Sequence, residues 1–417
     1  MVKVAEKAKF EINYLDYKEG DKQVKEVVIV GGARTPVGNF QGSLEPLRAH
    51  ELGVIALKAA MEKVQIKPQL IEEVMVGHVN QAGSPGNSAR WVTLKSGCPA
   101  ETISTTVHQQ CTSSMRAADI LSQEIMLGRV HIGAAVGQES MSNAPYLLMG
   151  ARKGYRLNDA EKVQDSLMLG GLVCAFEGYH MGITAENIAD MYKISREEQD
   201  EYALLSHQRA CKAIQDGLFK EEIVPVEVKT RKGTKIFDTD EHPNPDATVE
   251  MAAKMKPVFK KDGTVTAFNA SGLNDGAAAM IMMSGDKAKE LGFRPIARVV
   301  SSASGAVEPR IMGMGVVPAV KKALKFGGLS ANDIDYWEIN EAFASQFLAC
   351  QRELGIPLDK VNALGSGIPL GHPVGMTGVR IILESIYELK RRGGRYACST
   401  LCASGGPGAA FIIENLI

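Results

Sequence analysis

Cys111, Asn340, His372 and Cys402 are residue types that can make and break acyl bonds. Cys111 lies in Val107-His108-Gln109-Gln110-Cys111-Thr112-Ser113-Ser114-Met115-Arg116, where a β-branched run gives way to an amphipathic helical pattern. A sulfur at that junction faces the positive end of a helix dipole, which lowers a thiol pKa and makes a nucleophile. A free cysteine is also among the most buried residue types. What separates the two readings is whether the chain supplies a base and an oxyanion site.

Three further stretches supply them: Asn340-Glu341-Ala342-Phe343-Ala344, Gly365-Ser366-Gly367-Ile368-Pro369-Leu370-Gly371-His372-Pro373-Val374-Gly375, and Cys402-Ala403-Ser404-Gly405-Gly406-Pro407-Gly408. Glycine and proline confine the backbone on both sides of His372, which costs stability unless the direction of the ring matters. The bland reading of Glu341 is a helix-start charge. A nucleophile, an imidazole, a second thiol and glycine turns rich in free N–H groups together make an acyl-transfer kit.

Such residues need a rigid frame. Glu26-Val27-Val28-Ile29-Val30 before Gly31-Gly32 predicts a buried strand ending in a turn. Leu52, Ile55, Leu57, Ala60 and Met61 mark a helix, and Val74-Met75-Val76 a second strand. The helix after Cys111 repeats apolar residues at Met115, Ala118, Leu121 and Ile125, and a strand over 132–136 runs into Gly137-Gln138-Glu139-Ser140. This alternation predicts a largely parallel, layered α/β sheet. Residues 141–264 break the rhythm with a helical region over 184–215, a basic patch Lys229-Thr230-Arg231-Lys232 and the turn His242-Pro243-Asn244-Pro245. They read as a large insertion, after which an apolar strand over 277–283 closes the first half.

The second half repeats the first. The helix, loop, acidic residue and strand of 57–75 recur over 320–338, the Met115-Arg116 helix matches Val379-Arg380, and the strand before Gly137 matches the strand before Cys402. A duplicated βαβαβαββ unit is the simplest architecture. It pairs two central helices about a pseudo-twofold axis, each N-terminus aimed at one site between the halves. Cys111, Asn340, His372 and Cys402 are expected to converge there.

Composition narrows the partners. A net charge of -1 over 417 residues gives no electrostatic reason to expect nucleic acid or an anionic membrane. The length suits two to three domains with ample core. Seven cysteines, an odd number without a C-x-x-C pair, indicate neither a disulfide framework nor a zinc site and fit a reducing cytoplasm. Residues 1–25 are charged and mixed, with no apolar h-region, and read as a polar N-terminal arm.

The N-E-A-F, G-H-P and C-x-x-G-G-x-G motifs, with Asn269-Ala270-Ser271-Gly272-Leu273-Asn274-Asp275-Gly276, closely resemble the thiolases from about residue 26 to the C-terminus. Within that family, Tyr179-His180-Met181-Gly182-Ile183-Thr184-Ala185-Glu186-Asn187 is most similar to the biosynthetic acetyl-CoA acetyltransferases, which make acetoacetyl-CoA. The resemblance implies a thiolase fold: two βαβαβαββ halves in a five-layered α/β/α/β/α core. The halves would be 26–140 plus 265–290 and 291–417, with 141–264 an inserted loop domain for coenzyme A and subunit contacts. It implies a homotetramer, a dimer of dimers, acting on acetyl-CoA, 3-oxoacyl-CoA and coenzyme A as substrates, with no separate cofactor, metal, nucleic acid or membrane.

Residue by residue, the resemblance makes Cys111 the acyl-accepting nucleophile and His372 the acceptor of its proton; His372 would also help hold the second substrate's thioester oxygen, assisted by a water that Asn340 positions. Cys402 would move protons on the α-carbon, and the N–H groups of Cys111 and Ser404 would hold the oxyanion. His180, Met181, Ser271 and Phe343 would line the substrate channel. Four positions depart from the family pattern: His108 replaces asparagine, Phe268 and Ser404 replace glycine, and Asn244 replaces an arginine over the adenine ring. Ser404 is tolerable only if its φ is not strongly positive. Phe268 and His108 are expected at the pocket, where they would favour a longer, branched or aromatic 3-oxoacyl-CoA in a degradative enzyme. That is the alternative to acetoacetyl-CoA chemistry. Ketoacyl synthases lack a second catalytic cysteine in a glycine-rich turn, so Cys402 argues against them. A non-catalytic acyl-CoA-binding subunit would not need all four residues.

Overall fold

A computed structural model describes residues 24–157, 163–230 and 233–417. The arm up to residue 23 and the basic pair Arg231-Lys232 lie outside the described residues. Nine strands and eight helices frame the site. The strands are β1 (Val27–Arg34), β2 (Glu73–Gly77), β3 (Ile103–Val107), β4 (Ile132–Ser140), β5 (Asn274–Ser284), β6 (Ala297–Ala306), β7 (Tyr336–Ile339), β8 (Tyr396–Cys402) and β9 (Pro407–Asn415). The helices are α1 (Ala49–Lys63), α2 (Ser88–Lys95), α3 (Ser113–Met126), α4 (Met181–Tyr192), α5 (Arg196–Gln215), α6 (Val316–Gly327), α7 (Ala344–Leu354) and α8 (Thr377–Arg392).

The strands join in the order β7-β8-β9-β6-β1-β5-β4-β2-β3, with the short pair Gly38–Asn39 added beside β5. From edge to centre, β3-β2-β4-β5-β1 in one half is matched by β7-β8-β9-β6 in the other. A parallel bridge from Trp337 to Val361 stands where the first half has β3. Within the sheet, the halves join through two residue pairs of β1 and β6, Val28 with Arg298 and Ile29 with Ala297.

The sheet is mixed, not largely parallel. β2 pairs in parallel with β3 and β4, and β7 with β8, but every pairing of β1, β5, β6 and β9 with another strand of the sheet is antiparallel. β8 turns back into β9 through four residues, and β4 reaches β5 through the long segment 141–273; in both units the strand that follows runs antiparallel. β1 also continues through Gly31-Gly32, with a register shift between Ile29 and Gly31, instead of turning there. A Cβ at Gly32 would lie 2.5 Å from a Leu383 methyl and 2.6 Å from the Ala279 carbonyl. The glycine marks close packing against α8, not a bend.

Three apolar cores define five layers. α1 and α2 cover one face of the first half through Leu52, Leu57, Val92 and Val74. α3 and α8 lie between the halves, packing Leu121, Ile125, Ile382 and Leu383 against Met280 and Phe411. α6 and α7 cover the outer face of the second half with Val320, Phe347 and Trp337. Each fully buried aliphatic side chain contributes about 1.5–3 kcal/mol. α8 is buried along nearly its whole length and stops at Gly393 (φ 63°), after three cations in its last turn.

The N-termini of α3 and α8 are pinned together. Ser114 Oγ donates to the Met376 carbonyl (3.2 Å) and accepts from the Val379 N–H (3.1 Å). The helical region foreseen over 184–215 is two helices, α4 and α5, broken by left-handed Lys193 and restarted by a Ser195–Glu198 capping box. Among the described residues, no helix is long and apolar enough to cross a membrane.

Candidate active site

A cavity of about 570 Å³ opens where the two central helices begin, and Cys111, His372, Cys402 and Ser404 all line it. Cys111 stands two residues before α3, on a turn strained by Gln110 at φ 52°. The backbone N–H groups of Ser404 and of Cys111 itself lie near enough to its sulfur to pull the thiol pKa down. Ser404 is not among the described residues with positive φ, which meets the condition for a serine at that place.

His372 follows Gly371, whose φ of 90° suits glycine and whose Cβ would strike the Asn274 amide at 2.4 Å. Asn274 Oδ1 accepts the His372 N–H at 3.0 Å. The ring is fixed by Thr377: its Oγ1 lies 2.7 Å from His372 Nδ1 and donates its proton to the Pro373 carbonyl at 3.0 Å. That hydroxyl has only a lone pair left for the ring, so Nδ1 carries the hydrogen and Nε2 is free to accept one. Asn340 lies buried behind, its amide nitrogen 3.5 Å from Nε2.

Burial governs the electrostatics. It pushes the Cys111 thiol up to about 11, against the pull of the two N–H groups and with a smaller upward push from Glu139. Helix-end stabilisation was the visible signal in the sequence, but desolvation outweighs it. Burial, then the Arg380 charge, pushes His372 down to about 3. Burial and the neighbours Cys111 and Cys350 hold Cys402 well above the ordinary thiol value. At neutral pH the site therefore holds two thiols and a neutral imidazole, with about one Cys111 in 10⁴ ionised. Alkylation of Cys111 by iodoacetamide in the unliganded protein should climb about tenfold per pH unit from pH 7 to about 10. A plateau below pH 8 would mean that His372 already holds a thiolate.

The cavity's other wall comes largely from 141–264. His180 caps α4, accepts the Gly182 N–H at Nδ1 (3.0 Å), and stacks on Phe259 with centroids 4.5 Å apart. Met181, Ser271 and Phe343 also line the cavity, and Phe343 meets Phe259 edge-on. Leu167, Met141, Val79 and Val374 form a small apolar cluster against Cys111.

Two expectations fail. Phe268 does not line the cavity; its ring is in the core (4 % exposed), stacked on His207 at 5.2 Å. His108 is solvent-exposed and also absent from the cavity wall, because it precedes the turn that aims Cys111 inward. Asn244 is outside it too, its N–H donating to His207 Nδ1. The argument from these positions for a bulkier acyl group therefore has no geometric support.

Sequence reasoning missed Thr377 and Asn274, and misjudged Glu341. Far from being a helix-start charge, Glu341 is fully buried. It accepts from Tyr202 (2.5 Å), Ser206 (2.8 Å), Asn362 (2.9 Å) and the Ile368 N–H (3.1 Å), tying α5 to the segment before His372.

The model of the thiolase N-terminal domain matches residues 27–286, and that of the thiolase C-terminal domain matches 293–415. Acetyl-CoA acetyltransferase of Syntrophomonas wolfei subsp. wolfei is 48% identical, over 94% of this chain and 100% of that protein. Among solved structures, acetyl-CoA acetyltransferase from Syntrophomonas wolfei superposes with a TM-score of 0.92 at 47% identity, covering 94% of this chain and 100% of that one. Human mitochondrial 3-ketoacyl-CoA thiolase in complex with CoA gives 0.90 at 42% identity, covering 94% and 98%.

Proposed function

This chain belongs to the thiolase family, and we propose that it condenses two acetyl-CoA into acetoacetyl-CoA and coenzyme A, and runs the reverse thiolysis, through an acyl-Cys111 intermediate. The observation that carries this reading is the meeting of two thiols, a neutral imidazole and two convergent N–H groups in one cavity.

In acylation, His372 Nε2 takes the Cys111 proton as the sulfur attacks the thioester carbon. The N–H groups of Cys111 and Ser404 hold the oxyanion, and the departing coenzyme A thiolate takes the proton from His372. In condensation, Cys402 passes its proton to His372, and the resulting thiolate removes an α-proton from the second acetyl-CoA. The enolate oxygen faces the His372 imidazolium beside Asn340. Its carbon attacks the Cys111 thioester, and the expelled Cys111 thiolate recovers the proton from His372. No net proton is exchanged with solvent, which suits a buried site.

His180, Met181 and Phe259 support a role for 141–264, as an inserted loop domain, in holding the pantetheine arm. A homotetramer built as a dimer of dimers is supported by two separate exposed surfaces. One is the edge strand β3 with Ile103 60% exposed; the other is the antiparallel pair Tyr146–Leu148 and Val163–Asp165, with Tyr146 69% and Leu148 59% exposed. Seven unpaired cysteines support a cytoplasmic setting.

Thiolysis of short, long and aromatic 3-oxoacyl-CoA esters, with peptide mapping of the acylated cysteine, tests the reading. Acetoacetyl-CoA should be the best substrate and Cys111 the labelled residue. A bulkier ester preferred more than about tenfold, or about 1.4 kcal/mol in transition-state stabilisation, would make this a degradative thiolase; the relatives named acetyl-CoA acetyltransferase argue against that outcome.

A further inference from the structure

Glu139, at the end of β4, is fully buried and takes no part in the proton transfers above. Its Oε1 accepts the Asn80 N–H at 3.1 Å, while Oε2 accepts the Val79 N–H at 3.1 Å and the Gly375 N–H at 3.0 Å. Val79 and Asn80 form the cavity wall beside Cys111, and Gly375 lies three residues after His372. One side chain thus binds backbone from both halves of the molecule on either side of the reacting centre. Gly375 is shaped for this contact: a Cβ there would lie 2.7 Å from Oε2 and 2.3 Å from the Gln138 carbonyl.

Resting on the acyl-transfer reading, we propose that Glu139 is a positioning residue, whose carboxylate holds the wall beside Cys111 and the turn after His372 in one register. Three N–H donors converge on two oxygens, so only an acceptor at both ends of the group satisfies them. An amide in the same place turns an NH₂ toward at least one of those donors, and a carboxylate one methylene shorter cannot reach both segments. Nucleophile and base belong to different halves, so loosening this tie lets them drift apart. A displacement of about 1 Å from a change away from the chemistry costs about a hundredfold in rate.

The titratable groups facing Glu139 are His78, with Nε2 3.7 Å from Oε1, and the Cys111 thiol, which feels its charge. His78 is itself held by Ser88 at 3.0 Å, and burial pushes it down to about 4, so it is neutral near pH 7. Burial pushes Glu139 up to about 7, against its three backbone donors.

The test uses the full chain with Glu139→Gln and Glu139→Asp, each measured for thermal unfolding, for kcat and KM in acetoacetyl-CoA thiolysis, and for the pH profile of Cys111 alkylation. Both variants should fold and lose about a hundredfold in kcat, with KM within about threefold. The alkylation profile should move to lower pH in Glu139→Gln, where the negative charge is gone, and much less in Glu139→Asp. A merely structural role would not lower kcat while KM and the fold are kept. The proposal is overturned if kcat stays within about threefold of the parent, if the Glu139→Gln profile does not move, or if neither variant folds. An inactive parent protein would fail the acyl-transfer reading itself, and the role of Glu139 with it.

Discussion

Cys111→Ala is expected to lower thiolysis turnover by a factor on the order of 10⁶, the scale seen when a covalent nucleophile is removed. The N–H groups of Cys111 and Ser404 stabilise charge at the sulfur, and alanine leaves them beside a methyl group that cannot attack. Cys402 cannot substitute for it, because it is 1 % exposed and its thiol is held far above the ordinary range. Of the other five cysteines, none lines the cavity. The change removes one half-buried sulfur, so stability should fall by only about 1 kcal/mol. Coenzyme A binding, measured by calorimetry, should stay within about threefold, since the cavity wall at His180 and Met181, proposed to hold the pantetheine arm, is untouched. Turnover by this variant within about a hundredfold of the parent would place the nucleophile elsewhere.

The residues this prediction rests on were legible in the chain because each breaks a local rule. His372 is hemmed in by glycine and proline, Cys402 enters a glycine-rich turn, and Cys111 ends a β-branched run just before an amphipathic helix. Internal repetition made their convergence readable, since equivalent strand ends in a duplicated unit meet on the axis between the halves. Positions set by distant neighbours were not legible. Thr377 looks like any hydroxyl at a helix start, and its hold on His372 Nδ1 exists only because its proton is committed to the Pro373 carbonyl. Glu341 finds Tyr202 and Ser206 across more than 130 residues of sequence.

The same limit explains the errors. A helix dipole next to Cys111 can be read from spacing, but the desolvation that overrides it depends on Leu167, Met141 and Val374 folding over the sulfur. Phe268 occupies a family glycine position, yet His207 on α5 draws its ring into the core. Strand direction was misread because a pattern of helix and strand does not reveal on which side of the sheet a connection returns the chain.

Cys402→Ala is expected to divide the reaction in two. A thioester α-hydrogen is a weak acid, so carbon–carbon bond formation needs a base within reach of it and an enolate oxygen already held. Cys402 is the one residue of the cavity wall, besides Cys111 and the imidazoles, that can supply such a base. In the proposed mechanism, acylation of Cys111 uses only His372 and the two N–H groups. Release of coenzyme A from acetyl-CoA in a single turnover, with the label on Cys111, should therefore survive within about tenfold, while condensation and thiolysis fall by about 10³ to 10⁴. Exchange of the acetyl-CoA methyl protons in heavy water separates the roles further. It should disappear in Cys402→Ala and persist in Cys111→Ala, because enolate formation at Cys402 does not require an acyl acceptor. Thermal unfolding should change little, since a single sulfur is lost from a well-packed turn. Cleavage of acetoacetyl-CoA at the parental rate by Cys402→Ala would move the proton transfer to His372 alone, leaving the second thiol as a part of the wall.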